Sequence, residues 1–552
     1  MHNPLPLCVL IGSALLGISL PATADTGIVN TDLCINLNQR TSRVAVKPVA
    51  KPPYLRLFKE PGFDTRVMRI SNSGLGAITK PSSNASNAWN YDESRMMLHN
   101  YDSNGNHSVT LLDGHTYDVI GTLKLPRLAA ESVHWSHQDA NILFYMPNTE
   151  KDAGKLSKIN IATGKRALIK DFAPYCKKSG VSAQGGTLAK PSNDDDLFGF
   201  RCGVLGGHSL ALSYRVSNMH VSTLRTGAGT QWPIDSVPLP LPHNGNILLN
   251  QMILNSNLKP NGRRLDIADK NAPSAIGASN EKLNVFFQSA VKKSPRGCSN
   301  DIWNGAGLIV KHDLGYDMCA SLVTQTKGWP STPGGSELVA NAYQNPRWLA
   351  MANVGYDNLD WFTERRGAPL LFSEIILTDT KQPEPKPYRL AHMRTYGEQA
   401  SNASYDLSLS KPSLSLSPMA TRVLFSSDWY DSGAVDTYVV SLPAYTRLKL
   451  QGSWIDKNNS DITALFKQLA NQISFIVEMP HPVNGKMITL IGSGDIISEK
   501  MELKYQYEIG ADRAVKGTCT GVQSSDKSGI VLDCLNDVYQ TPVKFNFVRA
   551  MQ

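Results

Sequence analysis

A short unit that recurs along the chain constrains the fold more than any other feature of this sequence. Trp89 stands just before a polar turn, and strand-like segments follow at 95–101, 107–112 and 116–123. Trp135 has the same place in a second unit, about one repeat of 40–45 residues further on. Units of short antiparallel strands at this spacing predict a β-propeller. The two tryptophans are expected to pack between blades rather than to bind sugar.

The repeat extends over most of the chain. Weaker copies start near 190 and 346, and a clear copy occupies 412–442, whereas no strands can be assigned with confidence in 236–345. By length, the region 85–450 holds about seven blades, with eight as the alternative. We predict an all-β fold, preceded by an irregular lead-in at 25–84.

After residue 449 the repeat ends and the pattern of apolar residues changes. A stretch at 461–473 carries apolar residues at helical spacing and predicts an amphipathic helix: Ile462, Leu465, Leu469 and Ile473. Strand-like runs follow at 475–479, 487–491, 501–509 and 543–548. We therefore expect a small α+β or β-sandwich appendage domain at 455–552.

The amino terminus has the features of an export signal. The apolar run 5–20 is followed by small residues that end at Ala24, so we expect a signal peptide at 1–24. The alternative is a membrane anchor, but the run is short for a span of about 20 residues. We predict an exported protein, periplasmic or secreted, with no transmembrane segment after cleavage.

Export permits disulfide bonds, and the chain contains eight cysteines, of which Cys8 lies in the signal. Two pairs each lie within one local unit and are our preferred disulfides: Cys176 with Cys202, and Cys519 with Cys534. Three cysteines are left over: Cys34, Cys298 and Cys319. At least one thiol is therefore free, intermolecular or a metal ligand.

Four residues form a candidate metal set: Cys298, His312, Cys319 and His392. Two thiolates and two imidazoles suit a tetrahedral, structural zinc ion. The spacing is not that of a zinc finger, and a disulfide between Cys298 and Cys319 is the alternative. No other cofactor is expected.

Charge and motifs exclude several classes of function. The net charge of +8 is mild for 552 residues, with no clustered basic run and no nucleic-acid motif. It is compatible with an acidic ligand such as an anionic glycan. The G-x-S-x-G elbow of propeller peptidases, Walker motifs and dinucleotide-binding motifs are absent from the sequence.

The position of each histidine within the repeat predicts the face of the propeller on which it lies. In a propeller, the loops between strands two and three share a face with the loops between blades, where ligands usually enter. Two such loops supply our catalytic candidates: His99 and Tyr101 from one, Arg201 and His208 from the other. Our substrate-binding candidates are His107, on the first loop, His134, on an innermost strand, and His243, before a turn. His115 and His137 lie on turns of the opposite face and are discounted.

Several segments resemble the exported bacterial propeller polysaccharide lyases. They are 88–94, 111–117, 312–317, 423–429 and 435–438. The group includes ulvan lyases and, more distantly, oligogalacturonate lyases, and the resemblance covers roughly 55–445. The matching motifs are structural pieces of blades. The oligogalacturonate lyases hold a metal with a close His/Gln cluster that is not found here, which counts against pectic substrates.

The resemblance implies β-elimination on a uronic-acid polysaccharide by a monomer. His99, His208 and Tyr101 would then be the base and acid candidates, and Arg201 would bind the carboxylate. The alternative is a non-catalytic envelope propeller that binds glycan or protein, for which the histidines need not converge. A weaker third possibility is a metal-assisted hydrolase at His312 and Cys319.

Overall fold

The computed structural model describes a nearly all-β chain. It covers a short strand at 28–29 and residues 44–550, except for the following gaps: 64, 83–86, 251, 265–273, 279–283, 290–306, 314–317, 325–336, 354–372, 381–386, 397–409, 443–444, 447–449, 451, 470–471, 482–483, 498–499, 509–513, 525–527 and 538–541. The expected signal peptide at 1–24 lies outside the described residues. No helix in the described ranges is long and apolar enough to span a membrane.

Three short strands come first: β1 (Ile28–Val29), β2 (Leu57–Lys59) and β3 (Arg66–Arg69). Three sheets of four antiparallel strands follow. The first sheet contains β4 (Ile78–Lys80), β5 (Arg95–Tyr101), β6 (His107–Asp113) and β7 (Val119–Thr122). The second contains β8 (Leu128–Trp135), β9 (Ile142–Pro147), β10 (Lys155–Asn160) and β11 (Arg166–Asp171). After the helix α1 (Ala173–Lys178), the third contains β12 (Thr187–Leu188), β13 (Leu197–Arg201), β14 (His208–Arg215) and β15 (His220–Gly227).

Three further sheets have the same order. The fourth contains β16 (Leu239–Pro240), β17 (Asn246–Leu249), β18 (Met252–Asn255) and β19 (Pro260–Arg264). The fifth contains β20 (Ser274–Ala278), β21 (Asn284–Ser289), β22 (Gly307–Asp313) and β23 (Met318–Thr324). The sixth contains β24 (Glu337–Asn341), β25 (Trp348–Asn353), β26 (Glu374–Asp379) and β27 (Pro387–His392).

The sheets stand side by side around an axis. The first strand of one sheet lies against the first strand of the next, as β8 does with β12 and β20 with β24. Apolar side chains fill the space between neighbours; Met97 of the first sheet, for example, packs with Val133 and Leu143 of the second. This arrangement is a β-propeller, as the sequence predicted. The number of blades stays a prediction.

The seventh sheet joins the two ends of the propeller. It contains β28 (Leu414–Leu416), β29 (Arg422–Ser427) and β30 (Asp436–Ser441), and β3 and β2 are added beyond β30. In that pairing Val67 lies opposite Val440. The segment 25–84, which we expected to be irregular, therefore contributes three strands to the ring: β2 and β3 in this sheet and β4 in the first. These strands are too short to show an alternation in the sequence, and a distant partner makes them strands. A further pair joins β1 to β31 (Tyr445–Thr446).

The first inner strand also differs from our prediction. We assigned a strand to 87–90, but β4 occupies the inner position and Trp89 makes only an isolated bridge to Met96. Both repeat tryptophans are buried, as expected. Trp89 donates its indole N–H to the Gly114 carbonyl at 3.1 Å, and Trp135 donates to the Ala88 carbonyl at 2.9 Å.

The carboxyl-terminal unit is a closed barrel of eight antiparallel strands. They are β32 (Gly452–Asp456), β33 (Thr463–Leu469), β34 (Gln472–Pro480), β35 (Met487–Ile497), β36 (Lys500–Glu508), β37 (Ala514–Gln523), β38 (Gly529–Asn536) and β39 (Pro542–Arg549). Each strand pairs with the next, and β32 pairs with β39. The barrel has its own apolar core, which includes Trp454, Phe466 and Phe547.

The expected α+β or β-sandwich appendage is therefore wrong, and so is the helix at 461–473. That stretch contains all of β33 and the first two residues of β34. Buried residues alternate along each strand, Ala464 with Phe466 on β33 and Ile473 with Phe475 on β34, whereas Leu465 is exposed. The helical spacing arose because apolar residues occur on both faces of the barrel wall and the stretch spans two strands.

Both preferred disulfides are confirmed. Cys176 in α1 bonds to Cys202, just after β13. Cys519 and Cys534 lie opposite each other on β37 and β38 and are bonded. Cys34 and Cys298 lie outside the described residues, as does the side chain of Cys319.

Candidate functional site

The hairpin of β5 and β6 in the first sheet brings together three of the predicted site residues. The register places Tyr101 opposite His107 at its loop end, and His99 lies opposite Lys80 of β4. A compact loop connects the strands, because the Asp102 carboxylate accepts the backbone N–H groups of Asn104 and Asn106 at 2.9 and 2.8 Å. Local sequence therefore fixes the position of the two histidines.

The two histidine rings of this hairpin are in direct contact. His99 Nδ1 lies 2.9 Å from His107 Nε2, and the ring of Tyr101 stacks on His107 with 4.9 Å between centroids. His99 is buried and His107 is partly exposed. Burial lowers the pKa of His99 to about 3, and the charges of His107 and Lys80 lower it further in the same direction. His99 is thus neutral at physiological pH and serves as a hydrogen-bonding partner for His107.

One proton occupies the bond between the two rings. If His107 donates from Nε2 to His99 Nδ1, neutral His107 has its lone pair on Nδ1 and can act as a base there. The same tautomer of His99 carries a hydrogen on Nε2, which is buried and has no partner in the described part of the chain. A proton gained by His107 would strengthen the bond to His99.

Two histidines of the second sheet contact the third sheet, one at its inner strand and one at the turn that follows. His134 Nε2 lies 3.1 Å from the Leu188 carbonyl, and His137 Nδ1 lies 3.1 Å from the Ser192 carbonyl. A carbonyl only accepts, so each ring carries its hydrogen on the bonded nitrogen. Burial lowers the pKa of His134 to about 4 and that of His137 to about 3, so both are neutral.

Lys190 lies between these two contacts, immediately after β12. Its side chain is partly exposed, and it makes no hydrogen bond or ion pair with any residue that the structure describes. Its charge lowers the pKa of both His134 and His137. Burial lowers the pKa of Lys190 itself to about 8. In the sequence, residue 190 marks only the start of a repeat. Its position next to a predicted inner strand is the signal that could have identified it as a candidate binding residue.

The turns between first and second strands meet at the opposite end of the propeller. His137, whose role we discounted, packs there against Tyr343 of the sixth sheet, with 4.6 Å between ring centroids. Asp195 accepts the Ser136 hydroxyl at 2.5 Å, yet burial raises the pKa of Asp195 to about 6. His115 is also buried at this end, on the turn between β6 and β7.

A buried ion pair stabilises the same end. Arg422 of β29 donates to the Glu93 carboxylate at 2.7 Å, and its guanidinium lies 4.9 Å from the ring centre of Trp89. Glu93 also accepts the backbone N–H of Met419 at 2.9 Å. This network joins the first and seventh sheets and is structural, because both charged groups are fully buried and paired.

The remaining candidates lie elsewhere. Arg201 donates to the Thr187 hydroxyl at 3.1 Å, and burial lowers its pKa. His208 Nδ1 lies 3.2 Å from the Gly206 carbonyl. Neither contacts His99 in the described residues, so the third-sheet loop is separate from the histidine pair. His243 lies in the turn between β16 and β17, on the face opposite to the hairpin of His99 and His107.

The zinc hypothesis stays a prediction. His312 and Cys319 are opposite each other on β22 and β23, while Cys298 lies outside the described residues. His392 is buried in an ion network, with Nδ1 3.0 Å from Glu60 and Nε2 3.6 Å from Glu374. Two carboxylates next to His392 do not match a two-thiolate, two-imidazole site. Among the described residues, no group of three or more His, Cys, Asp or Glu could hold a metal ion.

Comparisons with known proteins show distant likeness in structure alone. No protein-family model matches the sequence, and no curated protein matches it. An oligogalacturonate lyase in complex with manganese is similar at 14% identity over 73% of this chain and 99% of that chain, with a TM-score of 0.48. TolB from Acinetobacter baumannii is similar at 14% identity over 61% and 59%, with a TM-score of 0.27. The β-propeller domain of the Trilobed protease from Pyrococcus furiosus is similar at 8% identity over 68% and 90%, with a TM-score of 0.23. The propeller assignment rests on the sheets of this chain.

Proposed function

We propose that the propeller cleaves a uronic-acid-containing, ulvan-like anionic polysaccharide by β-elimination at the hairpin of β5 and β6. The observation that carries the proposal is the hydrogen bond between buried, neutral His99 and partly exposed His107, with Tyr101 stacked on the same ring. A neutral imidazole can act as a general base, and the bond to His99 fixes the orientation of the His107 ring.

The elimination balances with two protein groups. His107 Nδ1 takes the proton from C5 of the uronate, and the electrons of the C–H bond form the C4–C5 double bond. The C4–O bond breaks, and its oxygen leaves with the proton of the Tyr101 hydroxyl. Solvent then removes the proton from His107 and returns one to Tyr101. His99 contributes by accepting from His107 Nε2, which stabilises the imidazolium.

The electrostatics of the surroundings favour a negatively charged ligand. The charges that act on the pKa of His99 and His134 all come from basic groups: His107, Lys80, Lys190 and His134 itself. Positive charge on Lys80 and Lys190 would stabilise the negative charge that develops on the uronate carboxylate when the C5 proton leaves. The protein is thus expected to bind the carboxylate more tightly in the transition state than in the ground state.

The test is the ultraviolet absorbance of the unsaturated uronic product, with mature protein and a panel of ulvan, pectate, alginate and glycosaminoglycans. We expect a rise with one substrate class, and a loss of at least about 100-fold in kcat for His107→Ala. Tyr101→Phe should give a loss of similar size. The matched control is His220→Ala, because His220 is exposed on the outer hairpin of the third sheet and should leave the rate unchanged.

Two further variants separate this site from the other loop. If His208→Ala or Arg201→Ala abolishes the rise while His107→Ala does not, the chemistry belongs to the third sheet. No rise with any substrate, beside measurable glycan binding, would replace the lyase with the non-catalytic binding propeller. The separation of Arg201 and His208 from the histidine pair is the observation that favours that second function.

A further inference from the structure

Lys190 has a setting that the elimination chemistry does not explain. The chain segment around it is fixed by the second sheet on both sides of the lysine. His134 bonds to the carbonyl two residues before it, and His137 bonds to the carbonyl two residues after it. The Ser132 hydroxyl also accepts the backbone N–H of Leu188 at 3.2 Å. The backbone that carries Lys190 is therefore held at a defined place between the second and third sheets.

The carboxylates near this segment are engaged by other donors. Asp195 accepts the Ser136 hydroxyl at 2.5 Å and the His137 backbone N–H at 3.1 Å. Asp194 accepts the Ser192 hydroxyl at 2.5 Å. Neither of them acts on the pKa of Lys190, which is lowered by burial alone. A partly exposed ammonium group with two neutral imidazoles beside it thus has no anionic partner among the described residues.

We propose that Lys190 is a binding site for the carboxylate of a uronic acid residue, in the seam between the second and third sheets. A charged group that is drawn out of water without a partner is costly, and an incoming carboxylate would offset that cost with a charge-assisted hydrogen bond. The neutral histidines hold the segment without adding charge that would compete for the ligand. The choice of a uronate rests on the proposed function, whereas the site itself rests on Lys190 and its two histidine contacts.

The basic residues between His107 and Lys190 indicate where the Lys190 site lies relative to the proposed elimination site. His99 lies within electrostatic range of His134, and His134 lies within that of Lys190. A polysaccharide with its reacting sugar at His107 would therefore meet Lys80 first, opposite His99 on β4, and Lys190 farther away. The site would select chains that carry a second uronate.

The experiment is competitive acetylation of the whole mature protein, followed by peptide mass spectrometry. Lys190 should be labelled readily near pH 8, and glucuronate should slow its labelling at least about threefold, as expected for a ligand bound above its Kd. Glucose should give no protection. Lys165 is the matched internal control, because it is exposed on the outer turn of the second sheet and should label equally in all samples.

Defined outcomes would overturn the site. Equal labelling of Lys190 with and without glucuronate would do so, and equal protection by glucose or by sulfate would overturn its assignment to a carboxylate. Calorimetric binding of glucuronate gives a second readout: Lys190→Met should weaken it about tenfold and Lys190→Arg should retain it, with folding checked by circular dichroism. Glucuronate is not a substrate for elimination, so protection without lyase activity would leave the site in place and reject only the proposed function.

Discussion

At the scale of single residues, the buried histidines determine how the propeller responds to acid. His99, His134 and His137 each have a pKa lowered by burial, to about 3, 4 and 3, from an ordinary value of 6.5. In the unfolded chain they bind protons below about pH 6.5, whereas in the folded chain they stay neutral. Stability is therefore present above pH 6.5 and is lost as the pH falls toward the folded values.

We predict a steep fall in the free energy of unfolding of the propeller between pH 6.5 and pH 4. Each buried histidine adds a slope of about 1.4 kcal/mol per pH unit. Asp195 acts in the opposite direction, because its raised pKa of about 6 favours the folded state as pH falls. Denaturant unfolding at a series of pH values measures the sum. His137→Gln should reduce the slope of the free energy of unfolding against pH by the contribution of one histidine, and His220→Gln should leave it unchanged. A free energy of unfolding that does not change with pH would contradict the burial of these rings.

Residue-scale prediction from the sequence succeeded where the interaction is local. His99, Tyr101 and His107 lie on one hairpin, so strand alternation and a short loop were enough to bring them together. Lys190 and the Glu93–Arg422 pair were missed, because their roles depend on partners in other sheets. The sequence around a lysine does not show that its neighbours in space will be neutral histidines from another sheet.

At the scale of elements, covalent links were predicted better than helices. Both disulfides join segments that are close along the chain, with separations of 26 and 15 residues. The helix at 461–473 was wrong because strands of a barrel with apolar residues on both faces imitate a helical pattern. Periodicity alone does not tell these two cases apart.

We predict that Cys176→Ala/Cys202→Ala lowers the free energy of unfolding of the propeller by about 3 kcal/mol, since the open chain gains entropy when unfolded. The matched pair Cys519→Ala/Cys534→Ala should lower the stability of the barrel and leave that of the propeller unchanged. Scanning calorimetry of both variants makes the comparison. Equal effects of the two pairs on the propeller transition would show that the two units unfold together.

At the scale of the whole molecule, the propeller and the barrel have separate cores. The barrel cluster draws all its buried residues from the region after 449, and an ion pair between Arg66 and Asp495 links the two units. Partly exposed ion pairs contribute little free energy. The two units are therefore expected to unfold in distinct transitions.

A glycine inside the barrel wall offers a selective test. A Cβ at Gly492 would lie 2.3 Å from the ring of Phe475 and 2.6 Å from the Lys504 carbonyl oxygen. Gly492→Val should therefore lower the stability of the barrel by about 1–3 kcal/mol and leave the propeller transition in place. Gly74→Ala is the control, because no heavy atom lies within 4 Å of its added Cβ. A single transition that shifts with Gly492→Val would reject the separation of the two units.

The sequence by itself determined the repeating four-stranded sheets, the buried tryptophans, both disulfides and the hairpin that carries His99 and His107. All of these features depend on contacts between residues that are near along the chain. The alternation of apolar and polar residues and the spacing of motifs in the sequence therefore predict them. Only the tertiary structure decided that β2 and β3 complete the last sheet, that the final unit is a closed barrel, and that Lys190 stands between two neutral histidines. These features depend on partners that are distant along the chain, and they exist only once the sheets have packed and excluded water from the seams between them.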